Sequence, residues 1–317
     1  MLASGADPYP VGYPRTTTAA ALRERYPDLP KDASTGEIVG VAGRVMLSRI
    51  GGKICFATLR DGTGDIQAMI RLDEVGAERL ADWKRDVDLG DHVGVTGEVI
   101  TSRSGELSVL AHSFAITAKS LRPLPEKHAG LTDPEARVRQ RYLDLIVNPA
   151  SRRLAEMRSA VTQSVRSSLL ARGYLEVETP ILTPLHGGAN ARPFTTHYNA
   201  YDVDVYLRIA LELYLKRLAV GGIEKVFEIG RNFRNEGVDS THNPEFTMLE
   251  AYEAYGDYNT IGELTQSLAQ GAAVAAFGLP ALLELCAKAD VPLQPSWNRG
   301  QVILEMYERL VEKQTVE

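Results

Sequence analysis

The sequence predicts an α+β protein in which a five-stranded β-barrel precedes an antiparallel sheet flanked by helices. Three observations support this fold class. Five short β-type segments with turn residues between them lie between residues 37 and 120. Apolar residues recur at helical spacing over residues 151–172, and residues 227–258 contain two arms with period-two alternation. A barrel, a helix and a hairpin are therefore expected in this order along the chain.

The first predicted domain is the barrel, over residues 35–120. Its β segments are separated by the turn signals Gly51-Gly52, Asp61-Gly62 and Ser104-Gly105, and one helical stretch near residues 75–86 interrupts the series. Five strands with one inserted helix favour an OB-fold barrel. The five segments cover residues 38–50, 53–61, 64–72, 91–102 and 107–119.

Flanking segments complete the predicted domain organisation. Residues 1–34 read as an extended lead-in that contains a short helix over 19–25. Residues 121–136 carry three prolines and are predicted to be a linker. The second domain is assigned to residues 137–317.

Helices are predicted at several places in the second domain. The apolar stripe of residues 151–172 predicts an amphipathic helix that packs on the sheet or on a partner subunit. A shorter helix over 211–218 carries Glu212 among apolar neighbours, so a cationic partner for this carboxylate is expected. Residues 264–277, and a proline-interrupted stretch over 279–316, also have helical patterns. The stripe consists of Leu154, Met157, Val161, Val165 and Leu169.

Residues 227–258 form the most informative pattern, a predicted hairpin with one apolar and one polar face. In each arm, period-two alternation places successive side chains on opposite faces of the hairpin. The connection, residues 237–244, is longer than an ordinary hairpin loop, which indicates a binding loop. The alternative is a solvated hairpin with a polar outer face. In the first arm Phe227, Ile229 and Phe233 oppose Glu228, Arg234 and Glu236; in the second Phe246, Met248, Glu250 and Tyr252 oppose Thr247, Leu249 and Ala251.

Composition excludes several classes of protein. The net charge of -6 argues against a nucleic-acid-binding protein held by bulk positive charge, so no DNA partner is expected and an RNA contact would need local patches and stacking. Cys55 and Cys286 are too few for a disulfide framework or a four-ligand zinc site. No apolar run is long enough to span a bilayer, and residues 1–31 lack a signal-peptide core, so a cytoplasmic location is predicted. The phosphate-binding motif GxxxxGK[ST] does not occur.

Four sequence segments carry a resemblance to a known family. FRNEG at 233–237, followed by HNPEFTMLEAYEAYGDY at 242–258, resembles motif 2 of class II aminoacyl-tRNA synthetases in its lysyl-tRNA synthetase version. GYLEVETPIL at 173–182 resembles motif 1. GGANARPF at 187–194 and LRIALELYLKRL at 207–218 are similar to lysyl enzymes. Segments typical of class I synthetases are absent from the sequence.

This resemblance implies a lysine-tRNA ligase that uses ATP and Mg²⁺, binds lysine and tRNA(Lys), and forms a homodimer. The family's third motif and its magnesium ligands are not found before Glu317. A class II synthetase-like sheet that is incomplete at the C-terminus, with no metal ligands of its own and poor adenylation of lysine, is therefore expected. Leu211 departs from the family, whose members usually have proline there.

The resemblance also implies roles for residues in the second domain. Arg234 would hold a phosphate and Phe246 would offer a face to adenine, with Glu236, His242 and Asn243 positioning the nucleotide. The alternative for Arg234 is an ion pair with Glu236. Lysine would be bound by Gly188, Glu212, Glu250 and Tyr252. Glu253 alternates to the other face and is expected to be solvated.

In the barrel, the resemblance implies an anticodon-binding surface. Stacking of a base on an aromatic ring contributes about 1–3 kcal/mol. Phe56 would supply the ring, although a phenylalanine taken alone is more often a core residue. The family positions that contact the anticodon match Arg49, Phe56, Gln67 and Glu106.

Two other functions remain open from the sequence. A non-catalytic synthetase fragment that binds tRNA or single-stranded RNA would keep the barrel and half of the active site. An aspartyl- or asparaginyl-type enzyme is disfavoured, because a pocket that contains Glu212 and Glu250 suits a cationic side chain.

Overall fold

A computed structural model describes residues 7–125, 130–239 and 241–278. The chain divides into two compact units, residues 1–149 and 150–317, which are described separately. By this division residues 137–149 fall in the first unit. The predicted helices of residues 279–316, together with Cys286, lie outside the described residues.

The first unit contains a closed barrel of five strands, which confirms the OB-fold prediction. The strand order around the barrel is β1-β2-β3-β5-β4, and all neighbours are antiparallel except β3 and β5. The strands are β1 (Ser34–Ile50), β2 (Ile54–Arg60), β3 (Asp65–Arg71), β4 (His92–Thr101) and β5 (Leu107–Ala118).

Helices pack against the core of the barrel. The lead-in helix α1 (Ala19–Arg25) has the predicted bounds, begins at the capping side chain of Thr18 and buries Ala19 and Leu22. The predicted helical piece before β4 is two helices, α2 (Leu72–Val75) and α3 (Ala77–Asp86). From α3 the buried Trp83 packs edge-on against Phe114, with 4.9 Å between ring centres.

Two short helices end the first unit. Helix α4 (Pro134–Arg139) is followed by α5 (Arg141–Val147). Asp144 in α5 is fully buried, and its carboxylate accepts hydrogen bonds from Arg137, Arg141 and Asn148. This charge is compensated on both oxygens, as burial requires.

Over its described residues the second unit contains two small sheets and three helices. In one sheet the strands run in the order β11-β10-β6, and in the other β7-β9-β8. Because β6 pairs with β10 in parallel, the first sheet is mixed, whereas the sequence predicted antiparallel pairing. The elements are α6 (Pro149–Ala171), β6 (Leu175–Glu176), β7 (Leu182–Thr183), β8 (Thr195–Tyr198), β9 (Val203–Leu207), α7 (Glu212–Val220), β10 (Lys225–Phe233), β11 (Glu245–Glu253) and α8 (Tyr258–Phe277).

Helix α6 packs on the sheet through the C-terminal half of its apolar stripe. Leu169 is fully buried with Phe227 and Leu264, and Val165 packs against this cluster. The N-terminal half differs, since the Leu154 side chain is 58% exposed. The described contacts therefore account for only part of the predicted stripe.

Candidate functional site

The hairpin of β10 and β11 presents one apolar and one polar face, as the sequence predicted. Glu228 pairs with Glu250 across the hairpin, and Asn232 pairs with Phe246. These side chains share a face because side chains alternate along a strand. On the opposite face Phe227 is buried in a core cluster, and Ile229, Leu249 and Ala251 pack against that cluster. Arg234 follows the last residue of β10.

Beneath the polar face lies a buried ion pair that the sequence-based interpretation missed. Arg208 and Glu228 are 4% and 3% exposed, and Arg208 Nη1 lies 2.6 Å from Glu228 Oε1. Thr179 donates to the other glutamate oxygen at 2.6 Å, while its own carbonyl accepts from Arg208 at 3.0 Å. Arg208 Nε also donates to the carbonyl of Arg231 at 2.8 Å. Glu228 is thus a structural residue that locks β10 to the preceding segments.

Close approach of Arg208 to β10 depends on a glycine. A Cβ atom at Gly230 would lie 2.3 Å from Arg208 Nη2 and 2.8 Å from Glu228 Oε1. No side chain fits between the two charged groups and the strand. The signal for this pair in the sequence is an arginine within the apolar stretch of residues 206–211 and a glutamate within 226–229.

Arg234 and Phe246 come together at the end of the hairpin. The guanidinium carbon of Arg234 lies 5.1 Å from the centre of the Phe246 ring, a cation–π distance. Arg234 Nε donates to the carbonyl of Ile209 at 3.3 Å. Both side chains are half-buried.

Glu236 does not pair with Arg234 in the part of the chain that the structure describes. Its Oε1 accepts a hydrogen bond of 3.3 Å from the backbone N–H of Arg192. The alternative of a strand-edge ion pair is therefore wrong. Among the described residues Arg234 makes its one hydrogen bond to the protein through Nε, which leaves the outer guanidinium nitrogens without a hydrogen-bond acceptor there.

The hairpin loop places His242 in a local turn with Asp239. Asp239 Oδ1 accepts from the backbone N–H groups of Thr241 at 2.7 Å and His242 at 2.8 Å, and the His242 ring nitrogen Nδ1 lies 2.8 Å from Oδ2. These hydrogen bonds, first that of the Thr241 N–H, lower the pKa of Asp239 to about 2. His242 and Asn243 are exposed.

Gly188 and Glu212 are in direct contact in the predicted amino-acid pocket. Gly188 has a φ of +84°, and a Cβ atom there would lie 2.9 Å from Glu212 Cβ and 3.2 Å from Ala210 Cβ. Only glycine adopts this conformation and tolerates this approach without strain. Glu212 is the first residue of α7 and pairs with Lys216 one turn later, the expected cationic partner.

Glu250 is held between helix α7 and Tyr252. Its Oε1 accepts from the backbone N–H of Leu211 at 3.1 Å, and its Oε2 accepts from the Tyr252 hydroxyl at 2.9 Å. Burial, and then the hydrogen bond to Glu250, raise the pKa of Tyr252 well above its usual value of 10.0; the negative charge of Glu212 adds to this. The two carboxylates and the hydroxyl thus share one region. The departure at Leu211 matters here, because proline would have no N–H for Glu250.

Glu253 differs from the expectation that it is solvated. Its side chain is 16% exposed, and Lys225 Nζ lies 2.7 Å from its Oε1. The Tyr174 hydroxyl donates to its Oε2 at 2.6 Å. Glu253 occupies the predicted face, but it is a half-buried partner of Lys225 and Tyr174.

The predicted RNA-binding residues of the barrel line connected grooves. Arg49 lies over the Phe56 ring at 5.1 Å and donates to Gln67 Oε1 at 3.3 Å, and Gln67 donates to Ser108 at 2.8 Å. These three predicted residues line a groove of about 1140 Å³. Arg49 and Gln67 also line a second cavity of about 430 Å³, which adds Glu106. Phe56 is half-buried: it lies outside the main barrel core, packs against the small apolar cluster of Met69, Ile100 and Leu110, and lines the larger groove.

Neither a metal cluster nor a membrane-spanning helix is present in the described residues. No three or more His, Cys, Asp or Glu side chains are grouped as metal ligands over 7–125, 130–239 and 241–278. Over the same residues no helix is long and apolar enough to cross a membrane.

Comparison with known proteins agrees with both units. Residues 133–301 match the family model of class II tRNA synthetases (D, K and N), and residues 39–117 match that of the OB-fold nucleic acid binding domain. The lysine-tRNA ligase of Mycobacterium bovis is 59% identical over 279 residues, covering 88% of this chain and 55% of the relative. That of Mycolicibacterium gilvum is 55% identical, covering 99% and 63%.

A third relative is about three times as long as this chain. The lysylphosphatidylglycerol biosynthesis bifunctional protein LysX of Nocardia farcinica is 49% identical over 361 aligned positions, covering 100% of this chain and 31% of the relative. The chain spans about half the length of the curated relatives that it matches first, at 55%. The match over the second unit, together with the hairpin geometry, shows that the chain belongs to the class II tRNA synthetase family of the D, K and N group.

Proposed function

We propose that the chain carries the anticodon-binding domain and the substrate-binding hairpin of a lysine-tRNA ligase. The observation that carries this proposal is the pocket of Glu212, Glu250 and Tyr252 beside Gly188. Two carboxylates and one hydroxyl suit a substrate with two ammonium groups, which lysine has and aspartate and asparagine lack. The 55–59% identity to lysine-tRNA ligases supports the same assignment.

In the proposed reaction the lysine carboxylate attacks the α-phosphorus of ATP, and the bond to pyrophosphate breaks. The ribose hydroxyl of tRNA(Lys) then attacks the lysyl carbonyl and releases AMP. This chemistry needs no protein nucleophile, but it needs two anions held together and charge stabilised as it develops. Arg234 is suited to hold a phosphate through its outer guanidinium nitrogens, and Phe246 to stack on adenine. Glu236, His242 and Asn243 would position the nucleotide.

In the amino-acid pocket each residue has a proposed role. Glu212 binds the α-ammonium group of lysine, exchanging its partner Lys216 for the substrate. Glu250 and Tyr252 bind the ε-ammonium group, since the Leu211 N–H and the Tyr252 hydroxyl hold the carboxylate in place. Gly188 lets the substrate approach the backbone. Mg²⁺ would supply charge neutralisation on the phosphates when bound; the described residues contain no group of three or more His, Cys, Asp or Glu side chains that could hold a metal ion.

In the barrel, Arg49, Phe56, Gln67 and Glu106 would bind the anticodon. Cytoplasmic location and assembly as a homodimer belong to the same proposal. A non-catalytic RNA-binding protein is the second candidate function, because all four proposed RNA-binding residues line grooves within the described barrel. This second function predicts RNA binding without lysine binding.

Calorimetric titration of the chain with lysine, aspartate and asparagine tests the proposal. Lysine should bind, and the two other amino acids should not. The variant Glu250→Gln should weaken lysine binding at least about tenfold, since a charge-assisted hydrogen bond is lost. Equal or tighter binding of aspartate would exclude the lysine assignment, and RNA binding with no lysine binding would favour the second candidate.

The role of Arg234 has its own test. Arg234→Ala should weaken ATP binding by this chain, because the phosphate loses its cation. In a full-length version of the protein it should also abolish lysine-dependent exchange between ATP and pyrophosphate. Arg231→Ala is a matched control, since this exposed arginine lies on β10 three residues before Arg234 and pairs with Glu245. Retained exchange in Arg234→Ala would contradict the assigned role.

A further inference from the structure

We propose that Arg23 of helix α1 is a positioning residue of the RNA-binding groove, which holds the Glu106 carboxylate for base recognition. The inference rests on the proposed anticodon-binding function of the barrel. It adds a residue outside the five barrel strands to that site.

The first observation is a double anchor of the Arg23 guanidinium. Its Nη2 lies 2.9 Å from Glu106 Oε1, and its Nε donates to the carbonyl of Asp65 at 3.0 Å. Asp65 begins β3, and Glu106 immediately precedes β5. The guanidinium therefore bridges the ends of two barrel strands.

The base of the Arg23 side chain is also fixed. Helix α1 begins at Thr18, whose hydroxyl accepts from the N–H of Ala21, and it buries Ala19 and Leu22 in the barrel core. Arg23 follows Leu22 directly and extends from a packed helix. Its reach toward Glu106 is thus set by the fold.

The second observation concerns the free part of Glu106. Its backbone is held by two hydrogen bonds with Ser102, from Ser102 N–H to the Glu106 carbonyl at 2.9 Å and from Glu106 N–H to Ser102 Oγ at 3.0 Å. Only Oε1 bonds to Arg23. Over the described residues, Oε2 accepts no hydrogen bond. It remains available to an N–H donor on a base edge.

The third observation is the common cavity. Arg23 and Glu106 line the same space of about 430 Å³ as Arg49 and Gln67. Arg49 and Gln67 continue into the larger groove with Phe56. When one RNA base stacks on Phe56, that base and the next base of the RNA would therefore lie within reach of the smaller cavity, which Arg23 and Glu106 line.

The exposure of the Arg23–Glu106 ion pair indicates a role in positioning Glu106 and not in stabilising the fold. The Arg23 and Glu106 side chains are 48% and 47% exposed, and ion pairs of this kind contribute little to folding. The ion pair instead orients the Glu106 carboxylate, because a flexible glutamate side chain would lose conformational freedom when RNA binds. Loss of Arg23 should then reduce base discrimination without unfolding the barrel.

The experiment measures RNA binding by fluorescence anisotropy with labelled RNA hairpins. One hairpin carries UUU in its loop, and three others replace one U each by N3-methyluridine, which lacks the imino donor. For each loop position, the Kd of the methylated hairpin divided by the Kd of the UUU hairpin reports recognition of that imino donor. In Arg23→Ala one of the three ratios should fall about fivefold, the effect of an unheld side chain.

Four further variants sharpen the result. Arg25→Ala is the matched control, because Arg25 lies on the same helix and pairs with Glu37 but does not line the cavity. Its ratios should equal those of the wild type. Arg23→Lys should restore part of the lost discrimination, and Arg23→Ala combined with Glu106→Ala should lose no more than Glu106→Ala alone.

Two results would overturn the role of Arg23 and leave the anticodon-binding function in place. One is unchanged ratios in Arg23→Ala. The other is equal weakening of all four hairpins with a smaller salt dependence, which would make Arg23 a phosphate contact. A wild-type chain that does not distinguish the hairpins would instead overturn the anticodon-binding function, and the inference with it. Urea unfolding of Arg23→Ala and Arg25→Ala should agree, which excludes misfolding as the cause.

Discussion

Arg208 and Glu228 form a 2.6 Å ion pair in which both side chains are almost completely buried. Removing one partner of such a pair leaves an uncompensated charge in the interior, which costs about 3–5 kcal/mol. Glu228→Gln should therefore lower the free energy of unfolding by about this amount, measured by urea titration with circular dichroism.

The control for this prediction lies on the same hairpin. Glu245 pairs with Arg231 at 3.6 Å, and the two side chains are 55% and 53% exposed. Glu245→Gln should change stability by less than about 1 kcal/mol. Equal urea midpoints for the two variants would show that the buried pair does not stabilise the unit.

Gly188 is the site of a second prediction. Gly188→Ala should destabilise the fold by about 1–3 kcal/mol, because alanine is strained at positive φ. It should also weaken lysine binding, since the new Cβ would lie 2.9 Å from Glu212 Cβ. Gly222→Ala has the same backbone problem, at a φ of +98°, but no atom within 4 Å. Calorimetry should show that only Gly188→Ala impairs lysine binding; an equal loss in Gly222→Ala would contradict the pocket assignment.

Tyr252 predicts how stability depends on alkaline pH. Because its pKa is raised in the folded state, the folded chain keeps a phenol proton that the unfolded chain releases above its usual pKa of 10.0. Stability should be fully present below that pH and decline above it. Tyr252→Phe should flatten this decline in urea titrations at about pH 8 and about pH 11. The control is Tyr255→Phe, whose ring is 95% exposed; a decline unaffected by Tyr252→Phe would show that another group is responsible.

The Asp239 turn can be followed by nuclear magnetic resonance. The pKa of this carboxyl is lowered from 3.8 to about 2, so the turn should keep its hydrogen bonds above 3.8 and lose them as pH falls through about 2. The amide signals of Thr241 and His242 should therefore show no titration midpoint near 3.8. Asp239→Asn should shift both signals at neutral pH, and a midpoint near 3.8 in the wild type would contradict the described turn.

Phe56 should contribute to RNA affinity through stacking. Phe56→Ala should weaken binding of the UUU hairpin by about 1–3 kcal/mol, the usual contribution of one stacked base. Phe56→Tyr keeps an aromatic face and should bind nearly as well. Fluorescence anisotropy measures both, and wild-type affinity in Phe56→Ala would assign the ring to the core.

Local patterns were enough to predict most of the elements. The β segments of the barrel have period-two alternation with glycine turns between them, and helix α1 has its predicted bounds, Ala19–Arg25. These signals are properties of neighbouring residues. The parallel pairing of β6 with β10 was not predicted, because two residues, Leu175 and Glu176, carry too little pattern to specify a partner strand.

The candidate site was predictable only in its residue types. The resemblance supplied Arg234, Glu250 and Tyr252, and strand alternation placed the last two on one face. Neither the resemblance nor the alternation indicated the roles of Arg208 and Arg23, because their partners lie 20 and 83 residues away along the chain. Such pairs form through tertiary folding, which spacing along the sequence does not report.

The segment between β9 and α7 touches both arms of the hairpin. The carbonyl of Ile209 accepts from Arg234, and two residues later the N–H of Leu211 donates to Glu250. A nucleotide that draws Arg234 away from Ile209 therefore acts on the same stretch of backbone that orients the amino-acid carboxylate. We expect binding of the two substrates to be thermodynamically linked, each changing the affinity for the other by the same factor.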